Sequence, residues 1–147
     1  MTATNHRARR PRSDRPAISK DPRRTLGRLG EELAAANLAR LGFRVLERNA
    51  RTRHGEIDLI AFDGRTLVFA EVKTRRLSRS HAQLHPEQRP LAALRPRQRA
   101  RLRRLAAAWL SEQRRRPTAR TIRFDAIGVV LDQRGALRAL EHIEGAW

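Results

Sequence analysis

Glu56, Asp58, Glu71 and Lys73 stand in two short stretches, GEIDLIAF and LVFAEVKTR, that otherwise read as buried β-strand. Alternate side chains of a strand share a face, so Glu56 and Asp58 are expected to point together, as are Glu71 and Lys73. Ile57, Leu59, Val68, Ala70 and Val72 are then expected on the opposite, apolar face. Asp63-Gly64 between the stretches is a strong hairpin signal, and it brings Asp58 near the level of Glu71. Two or three carboxylates and one ammonium would converge there. Facing carboxylates repel, and several ionised together in a partly buried site need a cation. Magnesium or manganese suits such oxygen ligands. An ion of this kind can polarise a phosphodiester and lower the pKa of an attacking water, with Lys73 stabilising the developing negative charge or positioning that water. The chemistry expected is phosphodiester hydrolysis. The competing reading is an ordinary cross-strand ion pair on a solvated sheet face.

Composition favours the first reading. The chain of 147 residues carries 33 Lys and Arg against 15 Asp and Glu, a formal net charge of +18, so its surface attracts polyanions. A nucleic-acid-binding surface should avoid clustered acids unless a metal covers them. Only Lys20 and Lys73 are lysine among those basic residues, which makes a lysine inside a strand more informative than usual. Cysteine is absent, which excludes thiol catalysis, disulfides and thiolate metal sites. No apolar run approaches the ~20 residues of a membrane span and no signal peptide is evident, so no membrane partner and a cytoplasmic location are expected.

The elements that must position these groups follow from periodicity. Residues 1–24 are rich in Arg and Pro with almost nothing apolar, and read as a flexible basic arm. From Thr25, LGRLGEELAAANLARLG places Leu26, Leu29, Leu33, Ala34, Leu38 and Leu41 on one helical face, with Gly42 as its stop. Glu31 lies at the margin of that face and is the acid placed to meet a sheet edge; otherwise it simply reaches into water. Residues 43–48, 56–62 and 66–73 read as strands. Residues 74–90 read as a long loop that could close over Lys73. Leu91 to Arg116 reads as a second helix in which Pro96 marks an early position or a break. Leu102, Leu105, Ala106, Trp109 and Leu110 form its apolar face, Arg97, Arg99, Arg101, Arg103 and Arg104 crowd the others, and Arg114 to Arg116 fall at its C-terminal end. Residues 122–131 and 136–143 are the last strands. His54 reads as a turn residue, His81 and His85 make a poor zinc pair, Trp109 reads as core, and Asp125 as a structural partner of Arg123 or of a helix end.

GEIDLIA followed by VFAEVKTR resembles the PD-(D/E)xK nuclease superfamily, in which an acid on one strand precedes E-x-K on the next and a further acid often comes from the first helix. More closely, GRLGEELAAANLARLGFRVLERN, GEIDLIAFDG, VFAEVKTR, LRPRQRARLRRLAAAWL and RFDAIGV, in this order across roughly residues 25–131, resemble the YraN-like family of bacterial predicted endonucleases, related in fold to archaeal Holliday junction resolvases. The resemblance implies Glu31, Asp58 and Glu71 as ligands of Mg2+ or Mn2+ and Lys73 as the catalytic lysine, with Glu56, Thr74 and Arg75 flanking them. It implies an α/β fold with a restriction-endonuclease-like core, a mixed β-sheet flanked by helices in αβββαβ order, so that residues 25–147 form one nuclease-like domain behind the arm. The activity expected is metal-dependent endonuclease cleavage of DNA, with branched and single-stranded forms among the substrates. Arg75, Arg97, Arg101 and Arg104 are the expected nucleic-acid contacts. A homodimer is expected if the substrate is a symmetric junction. The alternative is a non-catalytic basic nucleic-acid-binding protein on a nuclease-like scaffold. A basic component of a ribonucleoprotein ranks lower, because no aromatic RNA-binding platform is present.

Overall fold

The structure is a computed structural model that describes residues 21–78, 85–92 and 94–147. Seven elements follow in the order α1 (Pro22–Arg40), β1 (Arg44–Thr52), β2 (Gly55–Phe62), β3 (Thr66–Arg76), α2 (Pro96–Glu112), β4 (Thr121–Leu131) and β5 (Leu137–Ile143), with a single 3-10 turn at Pro86–Gln88. The strands form one sheet in sequence order. β3 and β4 run parallel while every other neighbouring pair is antiparallel. A parallel pair needs a crossover, and α2 lies in it. The fold is therefore a mixed α/β sheet with one helix on each face.

Two apolar clusters hold the layers together. On one face Ala34, Ala35 and Leu38 of α1 pack on Leu59, Ala61, Val68, Ala70, Ile127 and Val129. On the other, Leu102, Leu105, Ala106 and Trp109 of α2 pack on Ala50, Ile57, Ile60, Leu67 and Phe69. Trp109 is core, as expected: its ring meets Phe69 edge-on at 5.6 Å and its indole N–H donates to Glu47 at 2.9 Å. Alternation along β3 is strict, so Val68 and Ala70 face α1 and Leu67 and Phe69 face α2.

Several boundaries move for local reasons. α1 begins at Pro22, three residues before Thr25, because Asp21 caps it through its carboxylate on the Arg23 N–H at 3.0 Å and Pro22 suits the first helical position. Residues 22–24 thus belong to the helix, and residues 1–20 of the expected arm lie outside the described residues. α2 is shorter than expected at both ends. The residue before a proline disfavours helix, and Arg95 is extended at φ −95 and ψ 156. At the other end Arg114 to Arg116 lie beyond the last turn, where the Arg116 guanidinium donates to the Gln113 carbonyl. β3 continues through Arg76, so residues 74–76 are strand and not loop. Pro90 and Leu91 fold back onto Gly128 of β4, where an added Cβ would meet Leu91 Cγ at 2.9 Å. Residues 79–84, including His81, which the sequence reads as half of a poor zinc pair, lie outside the described residues. His54 sits in the β1–β2 turn, as expected, with its N–H donating to Thr52 Oγ1 at 3.1 Å. Among the described residues no helix is long and apolar enough to cross a membrane.

Candidate functional site at the fork between two strands

β2 and β3 pair from Phe62 and Leu67 at the turn up to Leu59 and Ala70, and the ladder ends there. The next residue on each strand is Asp58 and Glu71. Because β3 remains paired with β4 as far as Arg76, it is the edge facing β2 that opens. An open edge leaves backbone donors that need a partner. One is the Val72 N–H, and Asp58 Oδ2 accepts it at 2.7 Å.

A backbone distortion lies beside the fork, on β1. Asn49 has φ +50, alone among the described non-glycine residues in the left-handed region. It sits between the pairs Arg48 with Leu59 and Ala50 with Ile57, opposite Asp58. Simple alternation breaks here: Ile57 joins Ala50 in the cluster under α2, while Leu59 joins the cluster under α1. The expectation that Ile57 and Leu59 share one apolar face is corrected by this local twist.

Four side chains meet at the fork. Glu71 is 7 % exposed, and its Oε1 lies 2.6 Å from the Lys73 Nζ. Asp58 sits between the strands. Glu31 reaches the same place from α1, its Oε2 accepting a hydrogen bond from the Asn49 amide at 3.0 Å. The helix comes close enough because Gly30 packs on Thr74 of β3; a Cβ at Gly30 would overlap the Thr74 side chain. Glycine inside a helix costs up to about 1 kcal/mol relative to alanine, so its presence here answers a packing demand. Gly30→Ala is expected to lower stability by about 1 to 3 kcal/mol in chemical denaturation, opposite to the gain that helix propensity alone predicts.

Electrostatics tie the group together. Burial pushes the Asp58 pKa up from 3.8 to about 7, and the charges of Glu71 and Glu31 push in the same direction, against the opposing Val72 N–H and Lys73. One lysine therefore does not neutralise three carboxylates. The donor set fits a hard divalent cation in kind, being carboxylate oxygens with excess negative charge. Each carboxylate already has a protein partner, namely Lys73, Val72 N–H and Asn49. In keeping with that, among the described residues no three acids, histidines or cysteines are gathered tightly enough to hold a metal as they stand.

The remaining expected site residues divide by place. Lys73, Thr74 and Arg75 line a cleft of about 400 Å³ whose other walls are Pro90, Leu94 and Gln98. Glu56 is half-exposed and pairs with Arg51 at 3.8 Å. Arg97, Arg101 and Arg104 are exposed on α2 at helical spacing, and Arg101 approaches Gly55 at the β1–β2 turn. Arg99 and Arg103 form a second row, lying over Trp147 and Phe124 at 5.8 Å each.

Sequence reasoning missed one buried network. Asp125 is fully buried and accepts both nitrogens of a bidentate Arg123 at 2.8 Å, His142 Nε2 at 2.8 Å and the Gly145 N–H at 3.0 Å. Arg40 donates to Asn37 Oδ1 at 2.8 Å, which turns the Asn37 amide nitrogen toward His142 Nδ1 at 3.2 Å. His142 must then accept at Nδ1 and carry its proton at Nε2. The expected Asp125–Arg123 pairing is present, but nothing in the spacing pointed to His142 or Asn37, which lie 17 and 88 residues from Asp125 in the chain.

The model of the uncharacterised protein family UPF0102 matches residues 30–129, which takes in the second part of α1, all of α2 and the whole fork. The chain belongs to that family. This UPF0102 member is 48 % identical over 123 residues to a UPF0102 protein of Streptomyces griseus, covering 84 % of this chain and 96 % of the relative. It is 45 % identical to one of Frankia casuarinae, covering 83 % and 95 %. It is 41 % identical over 129 residues to one of Pelotomaculum thermopropionicum, covering 86 % and 98 %. UPF0102 is the YraN family, so the resemblance read from the motifs holds at the level of the family. The family match takes in Glu31, Asn49, Asp58, Glu71, Lys73 and Arg75, so the fork belongs to the shared part of the chain.

Proposed function

We propose that this UPF0102 protein is a magnesium- or manganese-dependent endonuclease that hydrolyses phosphodiester bonds in DNA, on a restriction-endonuclease-like core. The observation that carries the reading is the convergence of Glu31, Asp58, Glu71 and Lys73 at one strand fork of a strongly basic protein. The order α, three strands, α, strand, with β5 added, agrees with the core that the nuclease resemblance implies. Glu31, Asp58 and Glu71 are the residues to hold the metal. When bound, the ion would polarise the phosphodiester and acidify the attacking water. Lys73, partly exposed beside the cleft, offers an ammonium to the negative charge that develops on the phosphoryl oxygens. Arg75 borders the same cleft and suits a neighbouring phosphate, and Arg97, Arg101 and Arg104 suit the duplex or strand beyond it. A branched substrate with two-fold symmetry would call for a homodimer.

A second reading rests on the same geometry. Lys73 already neutralises part of Glu71, and the arginine rows of α2 need no acid to bind phosphate. On that reading the protein binds nucleic acid without cutting it. One experiment separates the two: labelled linear duplex, single-stranded, flapped and four-way-junction DNA incubated with Mg2+ or Mn2+ and either the natural chain or Glu71→Ala. Cleavage by the natural chain, lost in the variant while binding persists, is the expected result. Salt-sensitive binding with no cutting by either protein would select the second reading.

A further inference from the structure

We infer that Asn49 is the positioning residue of the fork: its left-handed backbone aims the carboxamide across the sheet edge to hold the Glu31 carboxylate beside Asp58. The inference rests on the metal-site reading above and deepens it by naming what orients the ligand that comes from the helix.

A residue with φ +50 in the middle of a nine-residue strand is costly for any side chain other than glycine, and asparagine tolerates it better than most. Glycine would relieve the backbone entirely but would bring no donor. Asn49 meets both demands. Its backbone turns the chain so that Arg48 stays level with Leu59 and Ala50 with Ile57, while the alternation of faces breaks between them. Its side chain leaves the ladder and donates to Glu31 Oε2 at 3.0 Å. A carboxylate only accepts hydrogen bonds, so the amide nitrogen must face Glu31.

Glu31 needs such a holder. It lies on the rim of α1 with solvent on one side, and a glutamate side chain free to rotate there spends little time over the fork. Gly30 sets the height of the helix above Thr74, and Asn49 sets the direction of the carboxylate. Partners of this kind, one step outside a metal's ligands, commonly change metal affinity 10- to 100-fold when removed.

The test is a double-variant cycle read by Mn2+ titration calorimetry on the full chain without DNA, so that it does not depend on cleavage. Asn49→Gly keeps the backbone free to adopt positive φ and removes only the carboxamide; unfolding in denaturant should show it at least as stable as the natural chain. Its Mn2+ affinity should fall about 10- to 100-fold. In a Glu31→Ala background the same Asn49→Gly change should cost nothing further, because the group it orients is gone. Equal losses in both backgrounds, or no loss in a natural chain that binds Mn2+, would overturn the positioning role and leave the metal site standing. No Mn2+ binding by the natural chain would overturn both.

Discussion

Asp58→Asn is expected to fold more stably than the natural chain and to cut no DNA. In the folded protein the Asp58 carboxyl is raised from 3.8 to about 7, first by burial and then by the charges of Glu71 and Glu31. A raised acid binds its proton more tightly folded than unfolded, so its favourable contribution is complete below about pH 4 and is lost as the pH rises to about 7. The whole difference between the two limits is at most about 4 kcal/mol, using 1.36 kcal/mol per pKa unit. Asparagine has the same shape, and its carbonyl can still accept the Val72 N–H, while the burial and repulsion of a charge disappear. Urea unfolding at pH 5 and pH 8 without divalent metal should therefore show a gain that is larger at pH 8. Adding magnesium should raise the midpoint of the natural chain and leave the variant nearly unmoved, if the proposed site holds, because a divalent ion would bind only where the full carboxylate charge attracts it. A variant less stable than the natural chain at pH 8 would mean that Lys73 already compensates the acids and that the fork needs no further cation. A stability deficit stored at the fork is what a site built to receive a metal should have.

Asp125→Ala is expected to bring the protein close to unfolding. Asp125 is fully buried, and its removal strands the bidentate face of Arg123, the Nε2–H of His142 and the Gly145 N–H together. Removing one partner of a buried, hydrogen-bonded ion pair costs about 3 to 5 kcal/mol, a large fraction of the roughly 5 to 15 kcal/mol that holds a domain of this size. Arg123 keeps Glu144 at 3.0 Å and its stacking over Phe43 at 5.3 Å, which puts the loss toward the lower end. Burial alone would raise the Asp125 carboxyl, but the hydrogen bonds from His142, Arg123 and Gly145 prevail and hold it below the ordinary carboxylate range. A lowered acid stabilises the fold above its unfolded pKa and loses that contribution as the pH falls through the folded value. The gap between the natural chain and Asp125→Ala should thus be full at pH 6 to 8 and should close below about pH 4. A gap that stays constant down to pH 3 would show that packing, and not the charge, is what the residue supplies. Because Asp125 ties β4 to β5 through His142, and His142 in turn meets Asn37 of α1, the effect should appear as lower stability of the whole fold.

The sequence by itself determined the elements and brought Asp58 level with Glu71 across the hairpin, while it grouped Glu56 with them and the structure pairs Glu56 with Arg51. Period 2 on either side of Asp63-Gly64 and period 3.6 in the two Leu- and Ala-rich stretches are local properties, and local backbone chemistry sets them. It also placed Glu71 and Lys73 on one side of β3, because a strict ladder with β4 preserves the alternation. Tertiary structure decided what happens where that regularity stops. Beside the fork beyond Leu59 and Ala70 stand an asparagine at positive φ in a neighbouring strand and a glycine that lets a helix rest on Thr74. Asn49 and Gly30 look unremarkable in a strand and a helix, since their meaning lies in what approaches them from elsewhere in the chain. His142 reaches Asp125 across 17 residues and Asn37 reaches His142 across 105, contacts for which no spacing rule exists. Side-chain periodicity reports the direction in which a residue points. Only the packed chain reports what it meets there, and the chemistry of this site depends on that second fact.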